Sequence, residues 1–321
     1  MLLYIHLHGH YNLKSSTYIV NKFLRKMKCI LPMLVCHTLN LTMAAQTART
    51  VTQSAGLRAR HIQMHLDGRH LMMDANESEA TLNEAMEVIK EYARSKIEAI
   101  GGKMSYSTKC SLYTCQRAFH KHGGPEPNPD KKSVSMKPDG GIIWAQFGET
   151  KDGVFTCTRK YPVFIGEDKV QGTNDSRLAE GKPRQSTGNA IERAAKNIRG
   201  SEMICMGQNT FPYVIFASGC DFHESETIAA RLEMMNMGVS NHYFGVDKET
   251  SPEKLNARLD EVLPAIDVKK MHGIGIASIF VKAHKWDEMP HGSSRWRKKE
   301  IVALSCCVID QTLVDVASIE K

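Results

Sequence analysis

The most constraining feature of the chain is a short run that is apolar at every position, Tyr213–Ala217 (YVIFA). A run of this length, followed closely by Gly219, is typical of a buried strand. One helix is predicted before it, from about Asn189 to Arg199, and another after it, beginning at Ser251–Pro252. This alternation predicts the α/β class, with a mixed sheet covered by helices.

Further elements follow from the spacing of apolar and β-branched residues. A long amphipathic helix is predicted from about Glu77 to Ile100, because one face repeats apolar residues at helical spacing. A turn is predicted at Gly148–Gly153. The predicted strands are Gly141–Phe147, Val154–Thr158, Tyr161–Lys169, Ile274–Val281 and Ile301–Ile309.

The N-terminal segment, residues 1–42, fits neither a membrane span nor a secretory signal. Its longest apolar stretch, Ile30–Cys36, is interrupted by Pro32 and is far shorter than the ~20 residues that cross a bilayer. A small-residue cleavage pattern is missing. We therefore expect residues 1–42 to be a dispensable extension, or the product of a misassigned start before Met43. Residues 43–321 are expected to form one domain.

Charge and cysteine usage narrow the functional class only slightly. The net charge of +7 and the pI of about 8.8 mildly favour a polyanionic partner. The nine cysteines form no CxxC pair, which favours reduced thiols and a cytoplasmic location. Cys110, Cys115, His120 and His122 are of the types that bind zinc, but their spacing matches no common zinc module. Ordinary thiols and surface histidines are the favoured interpretation of this group.

Two acidic residues and a lysine form a pattern that suits phosphodiester hydrolysis. Asp139 lies in MKPDGG, and Glu167, Asp168 and Lys169 lie in GEDK. On a strand Glu167 and Lys169 point to the same face, while Asp168 points to the other. Carboxylates can hold a metal ion, and a lysine places positive charge near a phosphate. The alternative is a turn followed by an exposed, charged strand.

The predicted helix at residues 188–198 (GNAIERAAKNI) carries a polar face. Asn189, Arg193 and Lys196 share that face, and asparagine and arginine side chains can read base edges in the major groove. The alternative is an amphipathic helix whose polar face is solvated. A later basic stretch around Trp296 allows two interpretations as well, phosphate contacts or solvated loops with a packing tryptophan.

Several segments resemble the EcoRI family of type II restriction endonucleases, in the same order along the chain. They are SVSMKPDGGII, GEDKVQG, GNAIERAAKNI, FPYVIF and ASIF, and the likeness is strongest over residues 133–222. The resemblance implies a PD-(D/E)xK nuclease fold, with a five-stranded mixed sheet flanked by helices. It also implies a homodimer that binds double-stranded DNA.

The resemblance assigns roles to individual residues. Asp139 and Glu167 would bind Mg²⁺, with the backbone carbonyl of Asp168 as a further ligand, and Lys169 would be the catalytic lysine. Glu192 would pair with an arginine of the partner subunit and support the recognition helix. The residues implied to bind DNA are Gln171, Gln185, Ser186, Gly188, Asn189, Ala190, Arg193 and Lys196.

The implied function is Mg²⁺-dependent cleavage of both strands at a palindrome with a central AATT, within a restriction-modification system. GAATTC is the first choice and CAATTG the second, and the products would carry 5′-phosphates and 5′ overhangs. A cognate methyltransferase would act on the same site. The alternatives are a PD-(D/E)xK nuclease of repair or recombination, and a non-catalytic DNA-binding protein on the same fold.

The chain departs from the family pattern at four places, and at one of them the family's arginine-bearing segment after the FPYV strand has no clear counterpart. The hairpin between Gly141 and Glu167 is longer, and Asp168 replaces the family's alanine between the glutamate and the lysine. Gln185-Ser186-Thr187 replaces Met-Ala-Ala before the recognition helix. The last of these leaves the outer base pair of the target open.

Overall fold

Six strands form one mixed sheet in the described part of the chain. The computed structural model describes residues 75–170, 189–219, 222, 230–231, 233–234, 242–246, 251–284 and 295–321, without the side chains at 75–77, 189–193, 242–243, 246, 252 and 284. All of them belong to one unit, Met72–Lys321. The expected domain from residue 43 therefore stays a prediction, and residues 1–42 lie outside the described residues.

The strands are β1 (Lys103–Ser107), β2 (Cys110–Ser111), β3 (Ser135–Met136), β4 (Gly141–Lys151), β5 (Val154–Val170), β6 (Tyr213–Ser218), β7 (His242–Val246) and β8 (Ser278–His284). The main sheet has the order β1-β4-β5-β6-β8-β7. Within it β1, β4 and β5 are antiparallel, whereas β5, β6, β8 and β7 are parallel. A separate pair consists of β2 and β3.

The mixed α/β class is confirmed, but the expected count of five strands is wrong for the main sheet. The two strands that the sequence patterns did not indicate, β1 and β7, are the edges of the sheet. All but one residue of β1 is half-buried, so the strand shows no clear alternation of buried and exposed side chains.

Strands β4 and β5 form one long hairpin where the sequence predicted three short strands. The predicted turn at Gly148–Gly153 is wrong in extent, because β4 continues to Lys151. The chain reverses at Asp152 and Gly153, whose φ angles are 51° and 76°. Positive φ at both central residues is the conformation that a two-residue hairpin turn requires. The solvated outer part of this hairpin extends away from the buried part of the sheet.

Helices cover both faces of the sheet and divide the core into two parts. On one face α1 (Ala75–Ala99) packs beside α5 (Lys298–Ile319), and the predicted apolar face of α1 is buried throughout. On the other face α2 (Leu112–His120) and α3 (Asn189–Ile204) pack over β6 and the inner part of β5. Helix α4 (Pro252–Val262) begins after Ser251, whose side chain caps it as predicted.

The prediction of a strand at Ile301–Ile309 is wrong, because this segment lies inside α5. Its β-branched residues suggested a strand, but the buried residues recur at helical spacing: Ile301, Leu304, Val308, Leu313 and Val316. Tertiary packing thus outweighs the local β propensity. By length and composition α5 is apolar enough to cross a membrane, with a mean hydropathy of 1.6 over its most apolar window. Its buried residues pack against α1 and the sheet, as in a core helix.

A buried ion pair anchors the N-terminus of α5 to the sheet. Lys282 on β8 donates to Glu300 over 2.5 Å, and both side chains are almost fully buried. Glu300 also accepts from the backbone N–H of Arg297 at 2.9 Å. Trp296 donates its indole N–H to the carbonyl of Ala217 and packs against Phe216. For Trp296 and Lys282 the structure therefore supports packing rather than phosphate contact.

Replacing Glu300 by leucine is expected to lower the free energy of unfolding by about 3–5 kcal/mol, because it leaves the Lys282 ammonium buried without its counter-charge. Urea denaturation measures the change. The double variant Lys282→Met/Glu300→Leu is expected to recover much of the loss, since it removes both charges. Glu91→Leu, at an exposed helical pair with Arg94, is the control and changes stability by less than about 1 kcal/mol. An E300L protein as stable as the wild type would contradict this account.

Candidate active site

A close approach of two glycines brings the predicted carboxylates together. The N–H of Gly140 donates to the carbonyl of Gly166 at 2.9 Å. A Cβ atom on Gly140 would lie 3.3 Å from the Gly166 Cα, which is tighter than ordinary contact. At this distance the residue before Gly140, Asp139, reaches β5, where its carboxylate accepts the N–H of Asp168 at 3.1 Å. The start of β4 and the end of β5 thus lie side by side at one end of these inner strands.

The ammonium group of Lys169 contacts oxygen atoms of all three residues that the resemblance assigned to metal binding. Its Nζ lies 2.8 Å from Asp139 Oδ2, 2.5 Å from Glu167 Oε1 and 2.7 Å from the backbone carbonyl oxygen of Asp168. Burial alone would lower the pKa of Lys169, but the carboxylates of Glu167 and Asp139 outweigh it and raise this pKa. The site therefore holds an ammonium group among hard oxygen atoms.

Glu167 is the most enclosed member of the site, with a residue exposure of 2%. Its two carboxylate oxygens accept from Asn197 Nδ2 at 3.2 and 3.0 Å, and Oε2 also accepts from the Tyr213 hydroxyl at 3.2 Å. Burial raises the pKa of Glu167, and Lys169 only partly offsets that effect. The carboxylate is thus held by neutral donors as well as by a cation.

Asp168 points to the opposite face of β5, as the strand pattern predicted. Its Oδ1 accepts a hydrogen bond from Ser78 on α1 at 2.9 Å. Burial raises the pKa of Asp168 to about 7. The side chain consequently links the strand to α1 and does not join the cluster around Lys169.

The remaining predicted DNA-binding residues are placed only in part. Lys196 lies on α3 and is exposed. For Asn189, Ala190, Glu192 and Arg193 the structure describes the backbone in α3 but not the side chains. The other predicted residues lie outside the described residues: Gln171, Gln185, Ser186 and Gly188.

In the possible zinc group, the two thiols lie next to each other. Cys110 and Cys115 are buried thiols whose sulfur atoms lie 3.7 Å apart. His120 is exposed and faces Glu126 at 3.5 Å. Across the described ranges, no cluster of three or more His, Cys, Asp or Glu side chains is arranged to hold a metal ion. A metal at Asp139 and Glu167 would need backbone, water or substrate oxygens as further ligands.

Sequence reasoning missed three residues that contact the site: Ser78, Asn197 and Tyr213. Asn197 lies four residues after Arg193, at the border between the polar and apolar sides of α3. The amide residue at that border was the signal available in the sequence. Tyr213 was assigned to a strand, and its neighbour in β5 is Ile165, two residues before Glu167. That register puts the tyrosine on the face of Glu167.

Changing Glu167 to glutamine is expected to raise the free energy of unfolding of the metal-free protein by about 0.5–2 kcal/mol. Two carboxylates and one ammonium give the cluster an excess negative charge, and the variant leaves the balanced pair Asp139–Lys169. Chemical denaturation in EDTA measures the effect. Glu87→Gln, at a side chain that is 74% exposed, serves as the control and should change little. A clear loss of stability in E167Q would show that the charge of Glu167 stabilises the fold.

Comparison with known proteins supports the resemblance. A family model described as "Restriction endonuclease EcoRI" matches residues 131–291, half of the chain and the part that carries the site. The type II restriction enzyme RsrI of Cereibacter sphaeroides is 27% identical over 171 residues, 48% of this chain and 58% of that protein. The type II restriction enzyme EcoRI of Escherichia coli is 33% identical over 96 residues, 27% of this chain and 32% of that protein.

The chain thus matches little more than half of one of these curated relatives and a third of the other. The matched segment includes Asp139, Glu167, Lys169 and the whole of α3. Asp139, Glu167 and Lys169 contact one another at the end of β5, beside α3. The chain belongs to the EcoRI restriction endonuclease family.

Proposed function

We propose that the chain is a type II site-specific deoxyribonuclease, a hydrolase that cuts both strands of a palindromic duplex. The contacts of Lys169 are the observation that carries this proposal. One ammonium group touches the carboxylates of Asp139 and Glu167 and the carbonyl of Asp168, so three oxygens suited to a hard cation converge on one point. Family membership supports the reaction class.

The donor set fits Mg²⁺. Mg²⁺ prefers oxygen ligands and is usually held by one or two carboxylates together with water and substrate phosphate. Asp139 and Glu167 would be the carboxylates, and the Asp168 carbonyl a further ligand. Type II restriction endonucleases generally need a divalent metal, and when bound it would acidify a water molecule and offset charge on the phosphate.

The protein's own residues supply orientation and charge. Lys169 has three N–H donors, so it can orient the attacking water and offset the negative charge that develops on the phosphate. Attack of the water oxygen on phosphorus breaks the bond to the 3′ oxygen, and the products are a 3′-hydroxyl and a 5′-phosphate. Enclosure of Glu167 between the sheet and α3 strengthens these interactions by excluding bulk water.

Recognition is proposed to depend on α3. A two-fold dimer that presents Asn189 and Arg193 from each subunit would read two identical half-sites. Glu192 would support this arrangement across the dimer, while Lys196, Ala190 and Gly188 would lie close to the duplex. Gln171, Gln185 and Ser186 would complete the contacts. We propose a site with a central AATT, GAATTC first and CAATTG second, cut to leave 5′ overhangs.

Restriction in a cell requires that the host's own sites be protected. A cognate methyltransferase acting on the same site is therefore part of the proposal, as is a cytoplasmic location. A digest of plasmid DNA with Mg²⁺ separates the alternatives. Discrete bands support a restriction enzyme, a smear supports a nuclease of repair or recombination, and binding without cutting supports a non-catalytic protein.

Glu167→Gln is expected to lower cleavage by at least about 100-fold while DNA binding survives. The change removes a ligand charge but keeps the shape, and it lessens repulsion of the phosphates. Asp139→Asn and Lys169→Ala should behave alike. Single-turnover cleavage and gel shifts in EDTA measure the two properties. Near-normal cleavage in any of the three variants would disprove the assignment of that residue.

Asn189→Ala is expected to weaken specific binding at two symmetric positions, at a cost of about 1–3 kcal/mol for each lost bidentate contact. Binding to unrelated DNA depends on phosphate contacts and salt, and should barely change. Arg199→Ala is the matched control, because Arg199 lies on the same helix and pairs with Glu202. Sequencing the ends of digested genomic DNA tests the target itself. Ends without a central AATT would contradict the specificity but not the nuclease assignment.

A further inference from the structure

We infer that Asn197 and Tyr213 are positioning residues that hold the Glu167 carboxylate for metal binding, and that Asn197 thereby links α3 to both acidic segments of the active site. The inference rests on the proposed function. Neither residue contacts the oxygens of Asp139 or Lys169 Nζ in the hydrogen bonds described above. They act on the reaction through Glu167.

The amide of Asn197 bridges three elements. Its Nδ2 donates to Glu167 Oε1 at 3.2 Å and Oε2 at 3.0 Å, and also approaches the carbonyl of Lys137 at 3.4 Å. Lys137 lies two residues before Asp139, so one side chain of α3 reaches both carboxylate-bearing segments. Asn197 is 5% exposed, which shields these bonds from competing water.

Neutral donors suit this task better than a second cation would. An amide and a hydroxyl orient the carboxylate without adding positive charge, so they do not compete with a divalent ion for its oxygens. The Tyr213 hydroxyl donates to Oε2, and its ring stacks on Phe211 with centroids 5.9 Å apart. The ring is therefore fixed independently of the hydroxyl.

Asn197 lies on the same helix as the residues proposed to read DNA, so it connects that part of α3 to Glu167. The residues proposed to read DNA, Asn189 and Arg193, lie about two turns and one turn before Asn197 on the same helix. The following turn is anchored, since Ser201 Oγ donates to the Asn197 carbonyl at 2.8 Å and approaches the sulfur of Met136. Hydrogen bonds weaken steeply with distance and angle. A shift of α3 would therefore change how Glu167 is held.

The decisive variant is Asn197→Leu, which keeps the branched shape of the side chain and removes both N–H donors. We expect the single-turnover cleavage rate to fall about 10- to 100-fold, as is typical when a group that supports a metal ligand is lost. The affinity for the palindromic duplex in EDTA should stay within about twofold. Tyr213→Phe should give a smaller fall of the same kind with the fold intact.

Two further variants separate positioning from simple packing. Thr312→Val removes a buried hydroxyl on α5, where it donates to the Val308 carbonyl and does not touch Glu167, and should cleave within about threefold of the wild type. Asn197→Gln retains the amide and should cleave faster than Asn197→Leu at equal stability. If Asn197→Leu does not fold, Asn197→Gln and Tyr213→Phe still test the inference, because normal cleavage by both would overturn it.

Metal affinity supplies a measurement that does not depend on cleavage. On a Lys169→Ala background, which blocks cutting, Mn²⁺ binding to the protein–DNA complex can be followed by electron paramagnetic resonance. Adding Asn197→Leu should weaken Mn²⁺ binding about 10-fold or more. Unchanged affinity together with unchanged cleavage would overturn the inference and leave the proposed function standing. A wild-type protein that cuts no duplex would overturn the proposed function instead.

Discussion

The arrangement of the candidate site depends on one carboxylate, that of Glu167, which is buried away from water. Glu167 lies at the inner end of β5 under α3, and the desolvation of its carboxylate opposes ionisation. Lys169 lies two residues further along the same strand, and its positive charge offsets part of the free-energy cost of desolvating Glu167. A strand is suited to this purpose, since alternate side chains point to one face at a fixed spacing. The sheet on one side and α3 on the other thus enclose the charged cluster of Asp139, Glu167 and Lys169.

The direction of the strands explains why the cluster forms where it does. β5 is antiparallel to β4 and parallel to β6, so the start of β4 lies at the same end of the sheet as the ends of β5 and β6. Asp139 lies just before β4, and Glu167 and Lys169 lie near the end of β5. Helix α3 packs over this end of the strands. Asp168, pointing to the other face, ties the same strand to α1 through Ser78. Each face of the strand thus has its own helical partner.

The sequence predicted the parts of this arrangement that depend on local spacing. The pair Glu167 and Lys169, the buried strand Tyr213–Ala217 and the apolar face of α1 all follow from periods of two and 3.6 residues. Segment 301–309 was misjudged because β-branched composition was given more weight than helical spacing. The edge strand β1 was missed because its side chains are nearly all half-buried and show no clear alternation. Asn197 and Tyr213 were missed because their role depends on contacts between distant segments.

The long hairpin between the two acidic segments has a consequence for how members of this family can differ in length. The site needs only the pairing of Gly141 with Gly166 at the base of the hairpin. Lengthening an antiparallel hairpin at its tip adds one residue to each strand, so insertions of even parity leave the base undisturbed. An odd insertion has to be absorbed as a bulge, and the register of β4 and β5 shifts at Ile143/Trp144 and at Phe147/Gly148. The tip can therefore drift in length over evolutionary time while the chemistry at the base stays in place.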